Sequence, residues 1–173
     1  KKPIMLDQSQ ALEKYTLEGF VNIEPDDTVF DIGAFIGEFS HSAIEQAKQI
    51  IAVEPDKTNS VCYWKNIGES YTDSVELVQC VAWKENTKLE LNLSSDPTEH
   101  ALSTPDFGDA SNSTTVEART IDDIAIEYDI SVIDFLKIEA EGSELEVLDG
   151  IQKISVSKMS IDVSEGNDTK SAK

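Results

Sequence analysis

Four short apolar runs constrain the fold of this chain more than any other feature of its sequence. They lie at residues 28–33, 50–55, 75–83 and 132–139, and apolar residues recur at helical spacing after several of them. Near-continuous apolar runs are typical of strands that are buried on both faces of a parallel sheet. Because such strands alternate with helices, we predict an α/β fold with a Rossmann-like, mostly parallel sheet and helices on both faces.

Polar residues that can cap a helix indicate where the first helices begin. Asp7 is expected to cap a helix that ends near Gly19, and Asp56 to cap a helix after the second apolar run. Another helix should cover residues 37–49. Three residues are expected on one side of the Asp56 helix, with its tryptophan in the core: Val61, Trp64 and Ile67.

Two further helices carry capping-box patterns. Thr120 with Asp123 and Ser143 with Glu146 both fit the pattern in which the cap and the third helical residue exchange hydrogen bonds. Gly150 stands where a glycine commonly ends a helix.

The part of the chain after the third run predicts an insertion with antiparallel character. Residues 88–93 alternate apolar and polar side chains, which is typical of a half-exposed antiparallel strand. Residues 94–113 are rich in Ser, Asp and Pro and predict a long loop, and residues 81–86 are expected to pair with 88–93 in an inserted hairpin. We expect a single domain over residues 1–173, with its core at 28–165 and an N-terminal helix within 1–20.

The charge balance limits the partners that this chain can have. It contains 34 Asp and Glu residues against 14 Lys and Arg, a formal net charge of -20. This excess repels nucleic-acid phosphates and anionic membranes, so neither is a predicted partner, and no apolar run approaches the ~18 residues that cross a bilayer. Cys62 and Cys80 are expected to be reduced, buried thiols of a cytoplasmic protein. Nothing in these features indicates an oligomeric state.

The glycine turn after the first run bears on the choice of cofactor. Gly33 and Gly37 frame it, but Phe35 lies where a dinucleotide-binding loop needs a glycine so that the backbone can approach the pyrophosphate. S-adenosylmethionine brings no phosphate, and its cationic groups favour a carboxylate such as Asp31 at the strand end. Glu54 closes the second run about 20 residues further on, where an acid takes the ribose hydroxyls in such folds. A nicotinamide-dependent oxidoreductase is the less favoured alternative.

Four segments, in this order, resemble the FkbM family of S-adenosylmethionine-dependent methyltransferases: DIGAFIGEFS, AVEPDKTNSVCYWKNI, ARTIDDI and DFLKIEAEGSELEVLDG. The resemblance covers about residues 28–165, and the last segment is its most specific motif. It implies a class I methyltransferase fold and transfer of a methyl group to an oxygen of a small-molecule acceptor, such as a sugar, glycolipid or polyketide hydroxyl. A non-catalytic binding module with the same fold is the alternative.

The resemblance also implies which residues surround the cofactor, with Glu54 on the ribose hydroxyls. Asn66 matches an asparagine common in the family and is interpreted as structural. The residues expected around the cofactor are Asp31, Gly33, Ala34, Phe35, Gly37, Glu54, Pro55, Asp56 and Val81.

The resemblance places three predicted catalytic residues at the end of the fourth run, where the substrate and the methyl group would meet: Lys137, Glu139 and Glu141. An alcohol nucleophile needs a base to accept its proton, and Glu139 and Glu141 are the candidates. If both face the cavity, their repulsion raises the pKa of one of them, and Lys137 opposes that shift. The alternative is that Lys137 and Glu141 form an ion pair that braces the turn. His100, in the long loop, is a further candidate base. No His, Asp and Glu cluster at metal spacing, so we predict a metal-independent reaction.

Overall fold

The computed structural model describes residues 8–92, 101–102 and 113–163 of the chain. Its strands are β1 (Thr28–Ile32), β2 (Gln49–Val53), β3 (Val75–Val78), β4 (Val81–Ala82), β5 (Thr87–Asn92), β6 (Ala101–Leu102), β7 (Ser113–Arg119), β8 (Val132–Ile138) and β9 (Ser155–Ile161). Its helices are α1 (Gln8–Glu13), α2 (Glu38–Ala43), α3 (Lys57–Ile67), α4 (Ile121–Glu127) and α5 (Glu144–Asp149), with a 3₁₀ helix at Glu69–Tyr71. Among these helices, none is long and apolar enough to cross a membrane.

The described residues form a main sheet of five parallel strands in the order β3-β2-β1-β8-β9. The predicted α/β fold with a mostly parallel sheet is thereby confirmed. Ile32 lies opposite Val53 on β2 and opposite Ile138 on β8, so the carboxyl ends of the three central strands lie side by side. The order of the strands reverses between β1 and β8. Ligands of open parallel sheets bind at such a switch point.

Alternate residues of β1 face two separate apolar clusters, one on each face of the sheet. Phe30 and Ile32 pack with Ile121 and Ile124 of α4 and with Val147 of α5. Val29, on the other face, packs in the cluster that contains α2 and α3 residues: Phe39, Ala43, Tyr63 and Ile67. Helices therefore cover both faces of the sheet, which explains why the strands are apolar without alternation.

A second sheet, in the order β4-β7-β5-β6, interrupts the parallel pattern between β3 and α4. The prediction of an antiparallel strand at residues 88–93 is confirmed, because β5 runs antiparallel to both β6 and β7. The predicted hairpin with residues 81–86 is wrong, since β7 lies between β4 and β5. The third run is also not one strand: the chain turns after Val78, and β4 joins β7 in the second sheet. Ala101–Leu102, within the predicted loop, forms β6; residues 94–100 and 103–112 lie outside the described part.

The first two helices are shorter than predicted. α1 ends at Glu13 instead of near Gly19, because a turn closed by mutual pairing of Leu17 and Val21 follows it. α2 ends at Ala43, well before β2 begins. The predicted cap at Asp7 lies outside the described residues.

Helix α3 begins as predicted but presents a different face to the core. The Asp56 carboxylate accepts hydrogen bonds from the backbone N–H groups of Thr58 and Asn59, so the predicted cap is confirmed. The buried residues of the helix are Asn59, Tyr63 and Ile67. Val61 is exposed, and Trp64 is 38% exposed rather than part of the core. The prediction for these two residues is wrong because apolar side chains occupy more than one face of this helix.

Candidate active site

A cavity of about 350 Å³ lies beyond the carboxyl ends of β1, β2 and β8, between them and the second sheet. Nine of the residues predicted from the sequence line its wall: Gly33, Ala34, Phe35, Glu54, Pro55, Val81, Lys137, Glu139 and Glu141. Asp31, Gly37 and Asp56 lie behind that wall. His100 lies outside the described residues, so its predicted role stays a prediction.

The turn after β1 is held by hydrogen bonds from its backbone N–H groups to residues at the end of β2. The N–H groups of Gly33 and Ala34 both donate to Val53 O at 3.0 Å, and Phe35 N–H donates to Glu54 Oε2 at 3.0 Å. Gly33 has a φ of +73°, and a Cβ there would lie 1.9 Å from the backbone oxygen of Glu139. Only glycine therefore fits at this position. Phe35 also adopts a left-handed backbone, with φ 50°.

Two other contacts hold the end of the turn against α3. Gly37 has a φ of +88°, and a Cβ there would lie 2.9 Å from the Tyr63 ring. Asn66 donates from Nδ2 to Ile36 O at 2.8 Å, so the structural interpretation of Asn66 agrees with its contact.

Glu54 is the polar centre of the β2 side of the cavity. The residue is only 5% exposed, and its carboxylate accepts hydrogen bonds from Phe35 N, Asp56 N and Asn59 Nδ2, the last two at 2.9 and 3.2 Å. Burial raises the pKa of Glu54, and these hydrogen bonds oppose the rise. The carboxylate is thus fixed in direction, and with three of about four acceptor sites occupied it retains about one, on Oε2, that can accept a hydroxyl donor.

Asp31 and Lys137 form a buried ion pair between β1 and β8. Asp31 is 0% exposed; its Oδ1 lies 3.0 Å from Lys137 Nζ, and its Oδ2 accepts the Ser40 hydroxyl at 2.6 Å. Lys137 also donates to Gly33 O at 2.8 Å. Asp31 does not line the cavity, and Lys137 and Ser40 contact its two carboxylate oxygens, so its contact with a cationic cofactor stays a prediction. Through Lys137, which donates to Gly33 O, Asp31 is connected to the turn.

Glu139 marks the β8 side of the cavity and is held by residues that the sequence did not suggest. Lys14 Nζ donates to its Oε1 at 2.7 Å, and the Tyr15 hydroxyl donates to its Oε2 at 2.6 Å. Burial alone would raise the pKa of Glu139, but Lys137 at 3.4 Å and these two donors lower it to about 2. Lys137 therefore acts on the pKa of Glu139 in the expected direction, and its effect together with those of Lys14 and Tyr15 exceeds the effect of burial. A contact between residues so far apart in the chain leaves no spacing signal.

The turn between β8 and α5 differs from the predicted capping box. Ser143 precedes the helix, but its hydroxyl donates to Ala140 O at 2.6 Å instead of accepting from the helix. The Glu144 carboxylate accepts from Ala140 N and Gly142 N at 3.2 and 3.0 Å. Glu144 therefore braces the turn, and Glu141, with φ 46°, is exposed at the rim of the cavity.

The reversal of strand order and the cavity above it define a Rossmann-like, cofactor-binding fold. Comparison with known families identifies which one: the Methyltransferase FkbM domain matches residues 31–171. The chain therefore belongs to the FkbM methyltransferase family. No curated protein matches it significantly.

Two solved structures share its fold. The Methyltransferase FkbM from Methylobacillus flagellatus KT superposes with a TM-score of 0.56 at 23% identity, over 81% of this chain and 32% of that one. The Precorrin-6y C5,15-methyltransferase from Geobacter metallireducens GS-15 superposes with a TM-score of 0.50 at 18% identity, over 98% of this chain and 68% of that one. The chain thus spans about a third of the length of the first of these proteins.

Proposed function

We propose that this methyltransferase uses S-adenosylmethionine and transfers its methyl group to a hydroxyl of a small polar acceptor. The observation that carries the choice of cofactor is the turn after β1, whose successive N–H groups at Gly33, Ala34 and Phe35 are all bonded within the protein. A pyrophosphate needs such N–H groups for itself. A cofactor without phosphate does not.

The charges around the cavity support the same choice. Its wall carries four carboxylates, on Glu38, Glu54, Glu139 and Glu141, against two ammonium groups, on Lys14 and Lys137. S-adenosylmethionine has a sulfonium and an ammonium group against one carboxylate, so it bears a net positive charge. A wall with excess negative charge favours such a ligand over an anionic dinucleotide.

The wall residues suggest how the cofactor would be held. The Glu54 carboxylate would accept a ribose hydroxyl, with the apolar side chains of Val53, Val81 and Ala82 nearby for the adenine. Gly33 and Ala34 would border the methionine part. When bound, the cofactor supplies a methyl group on an excellent leaving group, so the protein has chiefly to align the acceptor and exclude water.

The acceptor would enter on the side of Glu139 and Glu141. A carboxyl whose pKa lies at about 2 is a weak base, which disfavours Glu139 as the group that takes the proton. Glu141, at the rim of the same wall, is the better candidate base. Sugar, glycolipid and polyketide hydroxyls are the acceptor classes that we propose, following the family.

Calorimetric titration with S-adenosylhomocysteine, and separately with NAD, tests the cofactor. We expect S-adenosylhomocysteine to bind and NAD not to bind. Glu54→Gln should weaken S-adenosylhomocysteine at least about tenfold, because an amide cannot accept from all of the surrounding donors. Glu76→Gln, which changes an exposed carboxylate on β3, is the matched control and should leave binding unchanged.

Tight NAD binding without S-adenosylhomocysteine binding would overturn the proposal. Binding of S-adenosylhomocysteine with no methylation of any hydroxyl acceptor would instead favour the non-catalytic binding module.

A further inference from the structure

On the acceptor side of the cavity, the Glu139 carboxylate accepts hydrogen bonds from residues of the segment that follows α1. We propose that Tyr15 and Lys14 are positioning residues, which bind both carboxylate oxygens of Glu139. The carboxylate held in this way would accept a hydrogen bond from the hydroxyl of the methyl acceptor and so orient it. This proposal rests on the proposed function, because it concerns the acceptor side of the same cavity.

Tyr15 is well placed to hold a carboxylate in one orientation. It is 6% exposed, and its ring packs edge-on against Phe39 with the ring centroids 5.4 Å apart. The ring also lies under Lys137 Nζ, which is 5.3 Å from its centroid. The ring is thus contacted on two sides, and its hydroxyl donates to Glu139 Oε2 at 2.6 Å. Tyrosine gains this rigidity with only two side-chain torsions.

Lys14 connects the ends of two strands. Its Nζ lies 2.7 Å from Glu139 Oε1, just after β8, and 2.6 Å from Asp162 Oδ2, just after β9. The segment after α1 thus contacts the ends of both strands. Lys14 and Glu139 both line the cavity, so two distant parts of the chain form the acceptor wall together.

The Glu139 carboxylate retains hydrogen-bonding sites that a hydroxyl of the methyl acceptor can use. An ionised carboxylate offers about four acceptor sites. Lys14, Tyr15 and the nearby Lys137 occupy one side of it, while its side chain remains 33% exposed and lines the cavity. A hydroxyl donor from the cavity can use the free lone pairs. Since the carboxylate is a weak base, such a bond orients the hydroxyl and leaves the proton in place.

The titration of Glu139 provides a test that does not depend on the acceptor. The charged or titratable groups that face it are Lys14, Tyr15, Lys137 and, behind the two lysines, Asp162 and Asp31, with Glu141 two residues further along. Its carboxyl can be followed by ¹³C NMR in the free protein and assigned by its absence in Glu139→Gln. We expect Tyr15→Phe to raise the titration midpoint by about one pH unit, since a donor to the charged form is lost.

A matched control is available at the protein surface. The Tyr71 hydroxyl donates to Glu45, away from the cavity, so Tyr71→Phe removes the same kind of bond elsewhere. It should leave the Glu139 midpoint unchanged. Lys14→Met should move the midpoint in the same direction as Tyr15→Phe, which keeps the test informative if one variant is poorly folded.

The affinity for S-adenosylhomocysteine separates this proposal from the proposed function. In Tyr15→Phe it should stay within about twofold of the wild-type value, because Tyr15 acts on the acceptor side. An unshifted Glu139 midpoint in both variants would overturn the positioning role, whatever the cofactor. A shifted midpoint in a protein that never binds S-adenosylhomocysteine would overturn the proposed function and leave the contact network standing.

Discussion

At the residue scale, the turn between β1 and α2 shows how backbone hydrogen bonds bear on the choice of cofactor. Gly33 and Ala34 donate to Val53 O, and Phe35 donates to Glu54. The sequence indicated this only indirectly, through the missing middle glycine. The left-handed conformation of Phe35 aims its N–H at Glu54, so its backbone matters to the site as much as its ring.

Gly33→Ala should disrupt this turn. The left-handed conformation costs alanine about 1–2 kcal/mol, and the contact of the new Cβ with Glu139 O adds about 1–3 kcal/mol, since backbone must shift. Urea denaturation would measure the loss of stability, and calorimetry the accompanying loss of S-adenosylhomocysteine binding.

Gly19→Ala is the control for Gly33→Ala. Gly19 has φ +79°, but no atom lies within 4 Å of the position that a Cβ would take, so it carries the conformational cost alone. Equal losses of stability in the two variants would show that the close approach to Glu139 does not matter.

Residue types at strand ends could be read from the sequence, but their partners could not. Asp31 and Glu54 were selected because they lie near the ends of apolar runs, and Glu139 because the family resemblance places it at such an end. Whether a carboxylate faces the cavity depends on what covers it, and Lys137 and Ser40 cover Asp31. Tyr15 could not be selected from the sequence, since nothing local marks its contact with Glu139.

At the scale of elements, the first turn of α3 positions Glu54, which we propose lies on the cofactor side of the cavity. Asp56 caps the helix by accepting from Thr58 N and Asn59 N, at 2.7 and 2.9 Å. Asn59 in turn donates from its side chain to Glu54. The cap therefore affects both the stability of the helix and the direction of the Glu54 carboxylate.

Asp56→Ala should separate these two effects when compared with Thr120→Ala. Thr120 caps α4 by accepting from Asp123 N at 3.0 Å, outside the cavity wall. Each substitution should cost about 1 kcal/mol of stability in urea denaturation. Only Asp56→Ala should also weaken S-adenosylhomocysteine, by several-fold in calorimetry. Equal affinity in the two variants would contradict a role of the α3 cap in the site.

The caps at Asp56 and Thr120 and most strands of the main sheet were well predicted from the sequence, because both depend on local chemistry, whereas the predicted cap at Ser143 was wrong. The caps at Asp56 and Thr120 follow from side chains that bond the backbone a few residues away. The face that α3 presents to the sheet depends on the shape of its neighbours. The pairing of β5 with β7 depends on residues about 25 positions apart, which alternation alone does not specify.

At the scale of the whole molecule, the excess of acidic residues should govern how stability depends on salt. A formal net charge of -20 makes the folded state repel itself. Raising KCl from about 0.1 M to 1 M shortens the screening length from about 10 Å to 3 Å. We expect the midpoint of urea denaturation to rise with salt, since urea adds no charge of its own.

Surface ion pairs would give the opposite dependence of the urea midpoint on salt. Exposed pairs such as Lys88 with Glu117 are worth little, and salt weakens them. A midpoint that falls with KCl would mean that such pairs outweigh the repulsion among the carboxylates.

The bridge that Lys14 makes between Glu139 and Asp162 has a consequence for how the two sides of the cavity can vary. The turn after β1 and Glu54, which form the proposed cofactor side, lie within one β-α-β unit, whereas the proposed acceptor side includes a short segment near residue 15 from outside that unit. On this proposal, substitutions at residues 14 and 15 would alter acceptor preference and leave the affinity for the methyl donor unchanged.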